Sequence, residues 1–134
     1  ETLRDNPALG KALVGAWFEL MAEMGTDSEA GQKARAFLGE ASATDQAGYE
    51  AQLAGMKMFW QPADAVAFIG SDEAYEAMDS VRQFSFEKGL LGEGADSPDF
   101  VGIAMPDGKT LGDTANIKLR FDTEYMQMAA DGAL

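Results

Sequence analysis

No nucleophile–base pair of the usual kinds can be built from this chain, which contains neither histidine nor cysteine. Histidine is the side chain most used for proton transfer near neutral pH, and a cysteine thiolate is the strongest protein nucleophile. A serine–lysine pairing is possible by count, but Ser28, Ser42, Ser71, Ser80, Ser85 and Ser97 fall mostly at cap, turn or surface positions. Paired acids can also do general acid–base work or hold a hard cation such as Ca²⁺. Glu73, Glu76 and Asp79 stand at i, i+3 and i+6, and they serve equally as the solvated face opposite Tyr75, Met78 and Val81. Asp107-Gly108 and Gly112-Asp113 invite a calcium-loop reading, yet the carboxylate spacing of an EF-hand is absent and plain turns account for them. Gly89 to Gly94 is the densest glycine stretch, and it has neither the Gly-Lys-Ser/Thr of a phosphate loop nor a strand before it. The expectation is a protein that is not an enzyme and that uses no cofactor and no metal.

The best local candidate for contact with a ligand is Met58-Phe59-Trp60-Gln61. Large flat side chains beside a polar amide suit a small polar molecule in a concave site. The segment also lies at a break between two predicted helices. Phe and Trp are equally the ordinary core fillers of a small domain, and the 8 methionines fit a role as adaptable gap-fillers.

The elements that position these residues read as a string of helices followed by a short β-like tail. Asn6 as N-cap and Pro7 at the first helical position open a helix over Pro7–Met24. Leu9, Leu13, Trp17, Leu20, Met21 and Met24 recur at helical spacing, which predicts Trp17 as a core residue, and Gly25 stands where a left-handed cap belongs. Gly10 and Gly15 mark places for another backbone to pack closely. Ser28 opens a second helix to about Leu38, with Ala30, Ala34, Phe37 and Leu38 on its expected buried face. Thr44 and Asp45 cap a third helix through Tyr49, Leu53 and Met56. Pro62 starts a fourth over Ala63–Ile69, and Ser71 or Asp72 caps a fifth along Tyr75, Met78, Val81 and Phe84. Lys88, Gly89 and Leu90 carry the signature of that helix's end. After a loop from Gly92 to Asp99, Val101–Met105 and Ile117–Phe121 read as short strands with Pro106-Asp107-Gly108 turning between them. Asp122 caps a last helix with Tyr125, Met126 and Ala129. The fold class expected is mainly α, five or six short helices with a small β-hairpin near the C-terminus.

Length and composition set the outer bounds. A chain of 134 residues fits one domain, and 46% hydrophobic with 25% charged residues is ordinary for a globular core. No apolar run approaches the roughly 20 residues that cross a bilayer. The net charge is −13, from 10 basic and 23 acidic residues. Such a balance excludes nucleic-acid binding, which needs clustered Lys and Arg, and disfavours an anionic membrane surface. The chain starts at Glu1 rather than Met, and the expectation is a processed end or a cut through a longer gene product.

Four segments in one order carry a family resemblance. They are Asp5-Asn6-Pro7-Ala8-Leu9-Gly10-Lys11-Ala12-Leu13-Val14-Gly15-Ala16-Trp17, Lys57-Met58-Phe59-Trp60-Gln61-Pro62-Ala63-Asp64-Ala65-Val66-Ala67-Phe68, Val81-Arg82-Gln83-Phe84-Ser85-Phe86-Glu87-Lys88-Gly89-Leu90-Leu91-Gly92, and Asn116-Ile117-Lys118-Leu119-Arg120-Phe121-Asp122. Together they resemble the C-terminal part of a periplasmic solute-binding protein of the nitrate/sulfonate/taurine ABC-transporter type, and within it the urea-transporter branch. The resemblance covers almost the whole chain but only about the last third of such a protein. It implies the C-terminal portion of a type II periplasmic-binding-protein fold, two α/β lobes that trap a small polar solute and deliver it to a membrane permease in the periplasm. Asn6 to Met24 matches the helix after the returning strand, and Asp64 to Gly89 the late helices that pack on the first lobe. The main ligand-contacting loops of that family lie earlier than this chain begins. The resemblance therefore implies a chain that does not bind solute alone. Its unburied apolar groups, Leu13, Trp17, Phe59, Trp60 and Phe84, point instead to a homo-oligomer in isolation; a self-associating helical interaction domain without a ligand is the other reading.

Overall fold

A computed structural model describes residues 2–134. Among them the element order is α1 (Thr2–Asp5), α2 (Pro7–Met24), α3 (Glu29–Ala41), α4 (Gln46–Ala54), α5 (Pro62–Ile69), α6 (Asp72–Glu87), a 3₁₀ turn at Pro98–Phe100, β1 (Gly102–Ala104), β2 (Thr110–Leu111), β3 (Ile117–Arg120) and α7 (Glu124–Ala130). The protein is mainly helical with one small three-stranded sheet. Two compact units make it up: the chain to Asp64 together with Tyr125–Leu134, and Ala65–Glu124.

In the first unit, α2 has the boundaries that its periodicity predicts, but its caps and its buried face differ. Asn6 makes no side-chain cap bond, and α1 precedes it directly. Gly25 is right-handed, at φ −75°, so it serves no left-handed cap. Its missing side chain instead admits the Trp60 ring, since a Cβ at Gly25 would lie 2.9 Å from Trp60 Cγ. Gly10 does the same for Tyr125, whose Cε2 would lie 2.6 Å from an added Cβ. These contacts select the buried face: Phe18, Met21 and Met24 are buried, whereas Leu13 and Trp17 keep 60% and 56% of their surface exposed. The expectation that Trp17 is a core residue is therefore corrected.

Ser28 caps α3 by accepting a hydrogen bond from the Gly31 amide, and Asp45 caps α4 by accepting one from the Gly48 amide. Both caps follow the sequence reading. On α3 the buried positions are Gly31 and Gly39; of the expected inner face Ala34 and Leu38 are half-buried, whereas Ala30 is exposed and Phe37 is 70% exposed, a correction for those two. Ala43 closes the turn after α3 at φ +57°, the only left-handed non-glycine among the described residues.

The second unit is organised around α6 and the sheet. Ser71 caps α6 at the Ala74 amide. At the other end the Gly89 amide donates to Phe86 O and the Leu90 amide to Ser85 O, the paired bonds of a Schellman motif with Gly89 at φ +69°. The strand order is β2-β1-β3. β1 forms its hairpin with β2, Ile103 opposite Leu111, and β3 lies parallel to β1 on the other side. The two strands read from the sequence thus sit side by side, but not as the two arms of a hairpin. The chain returns through Gly112-Asp113, where glycine is needed twice. Gly112 has φ +74° against the Val101 carbonyl, and Gly102 leaves room for the Asp113 carbonyl. The core here is Ala74, Ile103, Met105 and Leu111, with Phe68, Tyr75, Met78 and Phe121 packed against it.

Candidate functional site

Met58, Phe59, Trp60 and Gln61 lie in the irregular segment between α4 and α5. Met58, Phe59 and Trp60 are half-buried, and Gln61 is exposed. The side chain of Trp60 lies against Gly25 at the end of α2, a close contact within the first unit. The Gln61 carbonyl accepts the Asp64 amide and starts α5. Trp60 and Gln61, adjacent in the chain, thus have different surroundings.

Gln61 does reach a cleft of the first unit, with a volume of about 710 Å³. One wall is α2, where Ala12, Gly15, Ala16 and Ala22 keep the surface low; the other is Ala129 to Leu134 at the end of α7. Its polar groups are few: Lys11 and Glu19 on α2, and Gln61. The volume matches the roughly 300–1,000 Å³ of small-molecule sites, but the walls are mainly methyl groups and the charges stand in solvent.

Three of the candidate acids, Asp79, Asp107 and Asp113, are engaged in local hydrogen bonds. Asp79 accepts two hydrogen bonds from Arg82, from Nε at 3.1 Å and from Nη2. Asp107 accepts the Lys109 amide at 3.0 Å and faces Lys109 Nζ at 3.0 Å; these bonds, the amide first, hold its carboxyl below the usual aspartate range. Asp113 accepts the Ala115 amide in a side-chain-closed turn. No group of three acidic, histidine or cysteine ligands gathers among the described residues. Ser28 and Ser71 are caps, Ser80 donates back to Glu76 O, and Ser97 donates to Asp96.

Two arginines are the polar centres that sequence reasoning missed. In the second unit Arg82 is 9% exposed and binds Asp79 on its own helix and Asp99 of the 3₁₀ turn. Burial opposes its charge, but hydrogen bonds to Asp79 and Asp99 outweigh that and hold its pKa above the ordinary arginine value. In the first unit Arg35 Nη1 donates to Met24 O at 2.6 Å and Thr26 O at 2.7 Å, so it closes the carbonyl end of α2. Its Nε donates to Glu50 at 2.8 Å, and Gln46 Nε2 donates to the same oxygen at 2.9 Å. The Gln46 amide first, then Arg35, holds the Glu50 carboxyl below the usual range. A lone arginine amid helical residues carries no spacing signal, so neither role was legible in advance. Both clamps are architectural.

No protein-family model, curated protein or solved structure matches the chain. Among the described residues no helix is long and apolar enough to cross a membrane.

Proposed function

We propose that the chain is the C-terminal part of the solute-binding component of an ABC transporter, for a small polar solute of the nitrate, sulfonate, taurine or urea kind. The observation that carries this reading is the pair of apolar stripes left uncovered on two helices that the resemblance covers, the one after the returning strand and a late helix that packs on the first lobe. On α2 these are Leu9, Leu13, Trp17 and Leu20, and on α6 Val81 and Phe84, all exposed. Leaving such groups wet forgoes roughly 1.5–3 kcal/mol for each side chain that burial would cover. The four segments that carry the resemblance include α2 and the second half of α6. On this reading the fold is the C-terminal portion of a type II periplasmic-binding-protein fold, the working compartment is the periplasm, and the partner is the membrane permease. The cleft of the first unit is not the solute site, because a two-lobed protein closes on its solute from both sides.

The test is calorimetric titration of the longer gene product, and separately of the 134-residue chain, with urea, taurine, nitrate and methanesulfonate. Binding of one of these by the longer product and none by the chain is expected. A longer product that lacks a strand-rich lobe before Glu1, or that binds none of the four, overturns the reading.

A further inference from the structure

We infer that the cleft of the first unit binds a linear zwitterion, a molecule with a carboxylate at one end, an ammonium at the other and an alkyl chain between them. The inference does not rest on the transporter reading, and it concerns a different side of α2 from the uncovered stripe. The cleft has a volume of about 710 Å³, and Gly15, Ala16, Phe18 and Ala22 of α2 line it together with Ala129 to Leu134. Such a volume admits a small molecule, and walls of this kind suit an alkyl chain, which leaves water there without any loss of hydrogen bonds.

The polar groups along the cleft define the two ends of the ligand. Only three polar side chains line it, those of Lys11, Glu19 and Gln61. Among the described residues none of the three side chains has a hydrogen-bond or ion-pair partner. Lys33, Arg35, Arg82 and Lys109, by contrast, are each held by a carboxylate. Lys11 and Glu19 belong to the same helix, about 12 Å apart along its axis and about 80° apart around it, so both border one side. Lys11 offers an ammonium to an anion, Glu19 a carboxylate to a cation, and Gln61 a neutral donor and acceptor. An extended alkyl chain advances roughly 1.2 Å per bond. About eight bonds between the charged ends therefore cover most of the distance, and the hydrogen bonds at each end cover the rest.

Net charge selects the zwitterion over a simple anion or cation. A chain of net charge −13 repels a fatty carboxylate, for which Lys11 is the one favourable group in the cleft. It attracts an alkylamine, but that ligand engages Glu19 and leaves Lys11 unpaired. A molecule of zero net charge meets no overall repulsion and engages both groups. Exposed ion pairs are individually weak, so the alkyl chain must contribute much of the affinity, up to about fourfold for each methylene taken from water. A zwitterion as short as taurine does not join Lys11 to Glu19, which keeps this site distinct from that of a transporter's small polar solute.

The probe is 8-aminooctanoate, added to the ¹⁵N-labelled 134-residue chain while amide shifts are followed by NMR. Shifts should appear together on α2, at residues 61–63 and at residues 129–134, and should saturate with a dissociation constant near or below about 1 mM. Octanoate and octylamine, each lacking one charge, should bind about two- to fivefold more weakly, and taurine, lacking most of the chain, at least tenfold more weakly. Lys11→Gln should lower the probe to the level of octylamine and Glu19→Gln to that of octanoate. Helical circular dichroism should be unchanged in both variants, because both side chains stand in solvent. Shifts that never saturate, or octanoate or octylamine binding as tightly as the probe, would overturn the inference. So would parental affinity in both variants, or shifts on α2 with none at residues 61–63 and 129–134, which place the probe on the uncovered stripe. Titration of the longer product with urea, taurine, nitrate and methanesulfonate reads the transporter proposal separately, so the two fail independently.

Discussion

The inner and outer faces of α2 are built from the same kinds of residue and end in opposite environments. Phe18, Met21 and Met24 leave less than a tenth of their surface exposed, whereas Leu13 and Trp17 leave more than half. Hydrophobicity cannot separate the two faces, because a helix apolar over most of its circumference meets neighbours on more than one side. The small residues separate them. Gly10 and Gly25 lie beside the inner face and admit the rings of Tyr125 and Trp60. On α3 the same rule buries Gly31 and Gly39 and leaves Phe37 in solvent. Along α2 and α3, Gly10, Gly25, Gly31 and Gly39 mark where neighbours come close, while Leu13, Trp17 and Phe37 stay uncovered.

The sharpest way to break that comparison is to truncate one residue of each face. Phe18→Ala should lose about 3–5 kcal/mol of unfolding free energy, while its neighbour Trp17→Ala should lose under about 1 kcal/mol at concentrations where the chain is monomeric. Denaturant unfolding followed by circular dichroism gives both values, and equal losses would erase the distinction.

Two glycines sharpen it next. Gly25→Ala meets Trp60 without backbone strain and should cost about 1–3 kcal/mol, with a shift in tryptophan emission. Gly89→Ala meets nothing within 4 Å but must hold φ +69°, so it should cost about 1–2 kcal/mol with no change in emission. If Gly25→Ala is silent, the tight contact with Trp60 is not what buries this side of α2.

A smaller effect of opposite sign is expected beyond the end of α3. Ala43 sits at φ +57°, and Ala43→Gly should stabilise the first unit by about 0.5–1 kcal/mol after the added freedom of the unfolded chain is subtracted. Thermal unfolding checks it, and a lowered midpoint would contradict the assignment of strain.

The mildest prediction concerns acid. Gln46 and Arg35 lower the folded pKa of Glu50, so the unfolded chain binds that proton more readily. The stability this carboxylate contributes is present above the unfolded glutamate range and is lost as pH falls through the lower folded value. Glu50→Gln should flatten the stability profile on the acid side of pH 4.5 and leave the slope near pH 7 unchanged. An unaltered acid limb would show that the Arg35–Glu50 pair adds nothing.

Much of the helical skeleton was legible because its punctuation is chemical. Pro7, Ser28, Asp45 and Ser71 start helices, and Gly89 ends one, through groups that act on their own backbone. What failed depends on distant chain. The hairpin partner of β1 is the two-residue strand Thr110–Leu111, too short to show alternation, and β3 pairs in parallel through a turn that Gly102 and Gly112 make possible. Arg35 and Arg82 acquire their partners from residues as far as 15 and 17 positions away. Within the ligand candidate, Trp60 answers to Gly25 while Gln61 borders the cleft of the first unit. No local pattern carries that information.

The central claim, that the outer face of α2 is bare within the chain, reduces to the environment of one ring. A Trp60→Phe variant leaves Trp17 as the only tryptophan, and acrylamide quenching of its emission can be followed from nanomolar to high micromolar protein. Ready quenching at the dilute end is predicted, because the ring keeps more than half of its surface exposed. Protection at the dilute end would mean that Trp17 is buried within the chain itself, and would contradict the claim.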